Sequence, residues 1–122
     1  MVNVTELTRR GSTCTDFLTC IYDLSTSDAY VFNVLKANGT MTLDQLSQKI
    51  QRNRSTVFKS LQRLVSVGLV YKTPKTLQAG GKYYEFHVND PSVIKKRAEG
   101  VVMDIQGSMK KLLNNLEADL KN

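Results

Sequence analysis

The chain has 122 residues and a mass of 13.7 kDa, the length of one domain, and 41% hydrophobic against 23% charged residues marks it as globular. No run approaches the roughly 20 apolar residues that span a bilayer, and residues 1–10 lack a signal peptide's apolar stretch, which predicts a cytoplasmic chain without membrane contact. A zinc site needs about four Cys, His or carboxylate ligands at suitable spacing, and two cysteines and one histidine in this pattern do not supply them. No nucleophile elbow, phosphate-cradling glycine loop or HExxH motif is present, so neither an enzyme, a metal nor a cofactor is expected.

The first ten residues are polar and read as a frayed end. From Thr13 to Leu24, Phe17, Leu18, Ile21 and Leu24 recur at helical spacing with Cys14 at the margin. Ser25 and Asp28 have the spacing of a capping box, opening a second helix that carries Ala29, Phe32, Val34 and Leu35 and stops at Asn38-Gly39. Thr42 and Gln45 repeat that signature for a short third helix with Leu43, Leu46 and Ile50. A polar turn, Gln51 to Asn53, leads into a fourth helix from Arg54 to Val67, with Val57, Leu61, Leu64 and Val65 inward and Gly68 as its stop.

The period then changes. Leu69 to Lys72 and Tyr83 to Val88 read as strands, with Pro74 and Ala79-Gly80-Gly81 marking the tip between them. Tyr83 or Tyr84, with Phe86, is expected to anchor this hairpin to the core. Asp90-Pro91 is a strong helix start, and a stripe of Ile94, Ala98, Val102, Ile105, Met109, Leu112, Leu116 and Leu120 follows. One helix over that span is about 45 Å long and overhangs so small a body. Gly100 and Gly107 mark a bend or a close approach of a second helix. The order predicts a mainly α fold with a small β-hairpin wing, a winged helix–turn–helix extended by a long C-terminal helix. Three regions follow: a helical segment over 1–23, a DNA-binding domain over 24–89 and a dimerisation helix over 90–122.

Three stretches carry a family resemblance: Leu24 to Tyr30 at a helix entry, Leu43 to Ser47 with Asn53 to Val57 at the helix–turn–helix, and Gly68-Leu69-Val70 with Gly80 to Tyr84 at the wing. Over residues 24 to 89 the chain resembles small archaeal winged-helix transcriptional regulators of the MarR-like, TrmB-like and short crenarchaeal Lrs types. The resemblance implies DNA binding. In the short types it also implies an antiparallel coiled-coil dimer through the long terminal helix. MarR-like proteins often hold a small-molecule effector between dimer helices and DNA-binding lobe, and no residue here identifies one.

Charge points the same way. The net charge is +6 and the isoelectric point near 9.4. Between Gln45 and Tyr84 lie Lys49, Arg52, Arg54, Lys59, Arg63, Lys72, Lys75 and Lys82 and no acidic residue, leaving nine basic and eleven acidic side chains elsewhere. All the excess positive charge is in that block, which suits double-stranded DNA, although a solvated basic face has the same composition. The second helix of a helix–turn–helix enters the major groove with its N-terminal residues at base edges. Asn53, Arg54, Ser55, Thr56, Lys59 and Arg63 are the expected recognition residues, Asn53 chiefly as cap and Arg54 as a guanine reader. Phe58 fits either the core or a thymine methyl. Lys49 and Arg52 are expected on phosphates, and Lys72, Lys75 and Lys82 on the backbone or minor groove.

The C-terminal stripe predicts a homodimer, with Phe17, Leu18 and Ile21 beside it, and hence a roughly palindromic operator. Cys14 and Cys20 lie about 9 Å apart along a helix axis, too far for an intrahelical disulfide. A bridge between subunits or ordinary burial remains for them. A phosphate on Tyr83 or Tyr84 would set negative charge among the wing lysines and weaken DNA binding. An architectural protein that coats DNA, or a winged helix that binds protein, would share most of these features.

Overall fold

The computed structural model describes residues 3–7 and 11–121. The frayed start read from residues 1–10 falls partly on residues 1, 2 and 8–10, outside the described residues. Seven helices and three strands follow in order among those described: α1 (Val4–Leu7), α2 (Cys14–Tyr22), α3 (Thr26–Asn38), β1 (Met41–Thr42), α4 (Leu43–Ile50), α5 (Arg54–Ser66), β2 (Val70–Thr76), β3 (Lys82–Val88), α6 (Pro91–Asn114) and α7 (Leu116–Lys121).

Local chemistry sets the helix starts. Thr13 with Asp16, Ser25 with Asp28 and Thr42 with Gln45 each form a reciprocal capping box, so three helices begin with two backbone donors satisfied apiece. Asn53 caps α5 and Asp90 caps α6, with Pro91 in the first turn. The Asp90 carboxylate accepts from Ser92 Oγ at 2.7 Å and Ser92 N at 2.8 Å. The side-chain bond first, and then the backbone bond, hold its carboxyl below the usual aspartate range.

The core joins Leu24, Val31, Phe32 and Leu35 to Leu46 and Ile50 of α4, Val57, Leu61 and Leu64 of α5, and Leu69, Val70 and Phe86 of the sheet. Burial of Val57, Leu61 and Leu64 fixes the outward face of α5 by default. Val31, not Val34, completes the buried row of α3. Asp28, almost buried, serves its cap and lies 3.7 Å from Arg63 Nε, which ties α3 to α5.

The wing is a three-stranded antiparallel sheet, order β1-β3-β2, rather than a bare hairpin. β1 is only Met41–Thr42, paired with Phe86 and Glu85. Pro74, expected at the tip, sits inside β2 opposite Tyr84. β2 is an edge strand, where a residue without an N–H is tolerated. Neither Tyr83 nor Tyr84 anchors the wing: both are exposed and Phe86 alone of the three is buried, because Tyr84 lies beyond the body although it shares Phe86's face. His87 of β3 ties the sheet laterally, with Nδ1 2.8 Å from Oγ1 of Thr40, just before β1, Nε2 2.8 Å from Oγ1 of Thr73 in β2, and its ring stacked on Tyr71.

At the end of α5, Gly68 is buried with φ +82°, and Arg97 of α6 lies across it. Asn89 donates to the Gly68 carbonyl at 3.1 Å. α6 continues unbroken through Gly100 and Gly107, where nothing lies within 4 Å of an added Cβ. Both glycines are on the side away from Ile94 and Ala98, so they mark no close approach within this chain. The predicted single helix to Leu120 is interrupted at Asn115, whose backbone N–H turns to the Lys111 and Leu112 carbonyls.

Candidate nucleic-acid interface

α4 and α5 are joined by the three residues Gln51–Asn53. Gln51 takes the left-handed conformation at φ +60°, which lets the chain reverse within so short a connection. Asn53 Oδ1 accepts from the Thr56 backbone N–H at 2.9 Å and from Ser55 Oγ at 2.9 Å. Asn53 is thus engaged as the cap. Beyond it, Arg54, Ser55, Phe58, Lys59 and Gln62 line the exposed face of α5, while Thr56 is half-buried.

Phe58, readable either way from sequence, is 40% exposed and outside the core. Its signal was available: four residues separate it from both Arg54 and Gln62, so it shares their face rather than that of Val57 and Leu61.

The eight basic residues are not equivalent. Arg63 donates through Nη2 to the Asp23 carbonyl at 3.1 Å and faces Asp28, which directs its guanidinium back to the body. Arg54 Nε lies 2.9 Å from Asp44 Oδ1, and Lys75 Nζ lies 3.6 Å from Glu85. Asp44 and Glu85 are the residues that immediately flank the acid-free block, so a count along the chain misses them. Arg52 donates to Ser27 Oγ at 3.2 Å and lies over the Tyr30 ring at 5.5 Å. Lys49, Lys59, Lys72 and Lys82 are exposed and make no ion pair among the described residues.

Strand alternation divides the wing. Lys72, Tyr84 and Lys82 share the face that carries Phe86, and the Lys72 ammonium stands 4.5 Å from the centre of the Tyr84 ring. Tyr71, Thr73, Lys75, Tyr83, Glu85 and His87 occupy the other face, where Glu85 offsets Lys75.

The long helix forms a second surface. Ile94 and Ala98 pack on the chain's own core, and Val102 and Ile105 are half-covered. Met109, Leu112, Leu116 and Leu120 are 55%, 67%, 47% and 77% exposed, as is Leu113 beside them at 69%. Between α2, α3 and the first half of α6 runs an apolar groove of about 810 Å³, lined by Phe17, Leu18, Phe32, Val88, Ile94, Ala98, Val102 and Met103, with Lys36, Lys95 and Glu99 among its polar residues. Cys14, exposed, lines it too, and Cys20 is half-buried; neither is in a disulfide. Among the described residues no helix is long and apolar enough to cross a membrane, and no cluster of metal-ligating side chains occurs.

A three-helix unit with a tight helix–turn–helix, followed by a small antiparallel sheet, is a winged helix. The family of the sugar-specific transcriptional regulator TrmB matches residues 18–92, and the chain belongs to that family. It is 28% identical over 100 residues to the uncharacterized protein MJ1503 of Methanocaldococcus jannaschii, covering 82% of this chain and 76% of that one. Among solved structures it resembles a possible transcriptional regulator from Methanosarcina mazei, with a TM-score of 0.73, 20% identity, and 82% and 85% of the two chains covered. TrmBL2, an archaeal chromatin protein with a novel mode of DNA binding, superimposes with a TM-score of 0.61 at 19% identity over 88% of this chain and 37% of that one.

Proposed function

We propose that the chain is a homodimeric, DNA-binding transcriptional regulator that sets α5 into the major groove and the Lys72–Lys82 face of the wing on the phosphate backbone or minor groove. The observation that carries this reading is the outward row of α5, in which Arg54, Ser55, Phe58 and Lys59 stand exposed on a helix whose N-terminus is fixed by Asn53. Guanidinium and hydroxyl groups meet base edges or phosphates, the Phe58 ring meets a thymine methyl or a sugar, and Lys49 and Arg52 flank them. In this division residues 24–89 bind DNA and residues 90–122 dimerise, with the segment 1–23 supporting the dimer helix.

The uncovered end of α6 and α7 supports the dimer. Covering a Leu or Met side chain is worth about 1.5–3 kcal/mol, and five such side chains per copy stand in water. An antiparallel twofold pairing centred near Ile105 brings Leu112 and Leu116 of a second copy opposite Ala98 and Ile94, beside the apolar groove. It also sets Lys111 of that copy opposite Glu99. Two recognition helices held this way fit a roughly palindromic site.

Lys59, Lys72 and Lys82, exposed and without an ion pair among the described residues, also suit a second reading, a protein that coats DNA with little sequence preference, as the likeness to TrmBL2 suggests. A titration of the chain's own promoter duplex against a scrambled duplex across a salt series separates the two. A specific regulator retains a preference of about 10³ or more at physiological salt. Equal affinities that fall together with salt support the coating protein, and no binding to either duplex overturns both. In the same assay, Lys59→Gln, Lys72→Gln and Lys82→Gln are each expected to lower the log–log salt slope by about 0.9, one phosphate contact apiece. An unchanged slope removes that lysine from the interface.

A further inference from the structure

We propose that Asp44 is a specificity-determining positioning residue: its carboxylate holds Arg54 so that the guanidinium offers its two terminal nitrogens to a guanine and is withheld from phosphates. This rests on the reading of α5 as the helix that meets base edges. Arg54 is the first residue of α5 and Asp44 the second of α4, so the ion pair spans the helix–turn–helix across its solvent side.

The atom that Asp44 engages matters. It pairs with Nε at 2.9 Å. A guanidinium can present a two-donor edge to guanine O6 and N7 through Nη1 and Nη2, or through Nε and Nη2. With Nε engaged, the end-on fork of Nη1 and Nη2 remains, aimed along the side-chain axis. Both partners are about two-thirds exposed, so the pair adds little to folding. Its effect is on what Arg54 does next. An unrestrained arginine at a helix N-terminus has a wide choice of phosphates, each as attractive as the next and none informative about sequence. The Asp44 charge cancels most of that attraction and repels the phosphates themselves. It does not prevent hydrogen bonds from the Nη groups to a neutral base edge. Restricting the long side chain beforehand also removes ordering cost from the specific complex. Asp44 thereby weakens non-specific binding and favours the base-reading mode, discriminating by a repulsive element as well as an attractive one.

The simpler role for Asp44, a carboxylate favouring the first turn of α4, moves the melting temperature and leaves base preference alone. The test therefore reads base preference and salt slope. The wild type and the Asp44→Asn, Asp44→Glu, Arg54→Ala and Asp44→Asn/Arg54→Ala variants are each used to select from a randomised duplex pool. The enriched duplex and a scrambled one are then titrated across a salt series, with thermal melts as the folding control. Asp44→Asn keeps an acceptor for Nε and removes only the charge.

The expected result is a guanine in the wild-type motif that depends on Arg54. In Asp44→Asn the preference for that guanine falls about tenfold or more. Affinity for the scrambled duplex rises and its salt slope steepens by about 0.9. Asp44→Glu restores the preference, and in the Arg54→Ala background removing the Asp44 charge leaves base preference where it was. The proposal is overturned if Asp44→Asn keeps the guanine preference, or raises affinity for every duplex by one common factor. A motif that does not depend on Arg54 overturns it too while leaving the regulator reading intact. A wild type that enriches no sequence overturns both.

Discussion

Changing Leu112 and Leu116 together to aspartate is expected to convert the proposed dimer to a monomer at micromolar concentration, read by light scattering or sedimentation. In the single chain Leu112 is 67% exposed and Leu116 47%, and neither belongs to the core, so the monomer has little packing to lose there. An isologous interface counts each substitution twice. Four lost leucine contacts at about 1.5–3 kcal/mol each remove at least about 6 kcal/mol, which is about 10⁴-fold in dissociation constant. Four carboxylates forced into an apolar seam add to that loss. Helical content at low concentration should hold, and affinity for a duplex with two half-sites should fall towards that of a single half-site. A variant that stays dimeric would move the interface elsewhere and leave the exposed leucines without the role proposed for them.

Gly68→Ala should destabilise the chain by about 2 kcal/mol. At φ +82° a β-carbon costs roughly 1–2 kcal/mol. The added atom would also stand 2.9 Å from Arg97 Cζ and collide with Nη1 of the same side chain, so the guanidinium has to leave the turn. For a domain of this size the melting temperature should drop by roughly 5–10 °C. A double-mutant cycle divides the two causes: Arg97→Ala in the Gly68→Ala background relieves the collision but not the backbone strain. Recovery should therefore be partial. No loss in Gly68→Ala, or full recovery in the double variant, would contradict the strained turn.

Helix starts were legible because they are written in short local codes: Ser25 with Asp28 and Thr42 with Gln45 over four residues, and Asp90 with Pro91 over two, all cap where their spacing says. The buried row of α5 was legible from its period. What escaped depends on contacts distant in sequence. β1 is two residues long and exists only because β3 passes beside it. Pro74 reads as a turn residue until β2 is known to be an edge strand. The wing tyrosines look like anchors until the register puts them past the edge of the body. The largest miss is electrostatic. A window from Gln45 to Tyr84 contains no acid, yet the fold brings Asp44, Asp28 and Glu85 to three of its cations. Of the eight basic residues in that block, Lys49, Lys59 and Lys82 are exposed with neither an ion pair nor an aromatic partner among the described residues, while Lys72 stands over the Tyr84 ring as Arg52 does over Tyr30.

The anchoring of α6 at one end alone makes it a lever. Arg97 over Gly68 and Asn89 on the Gly68 carbonyl couple its first turns to the end of α5, while Met109, Leu112 and Leu113 in its last turns stand largely exposed. At 24 residues it is roughly 36 Å long, so a tilt of about 5° at the coupled end sweeps the free end through roughly 3 Å, close to the 3.4 Å rise of one base pair. In the proposed dimer the far end of each helix lies along the first turns of its partner, so a few degrees of rotation between the paired helices would change the spacing of the two reading heads by about one step of the duplex.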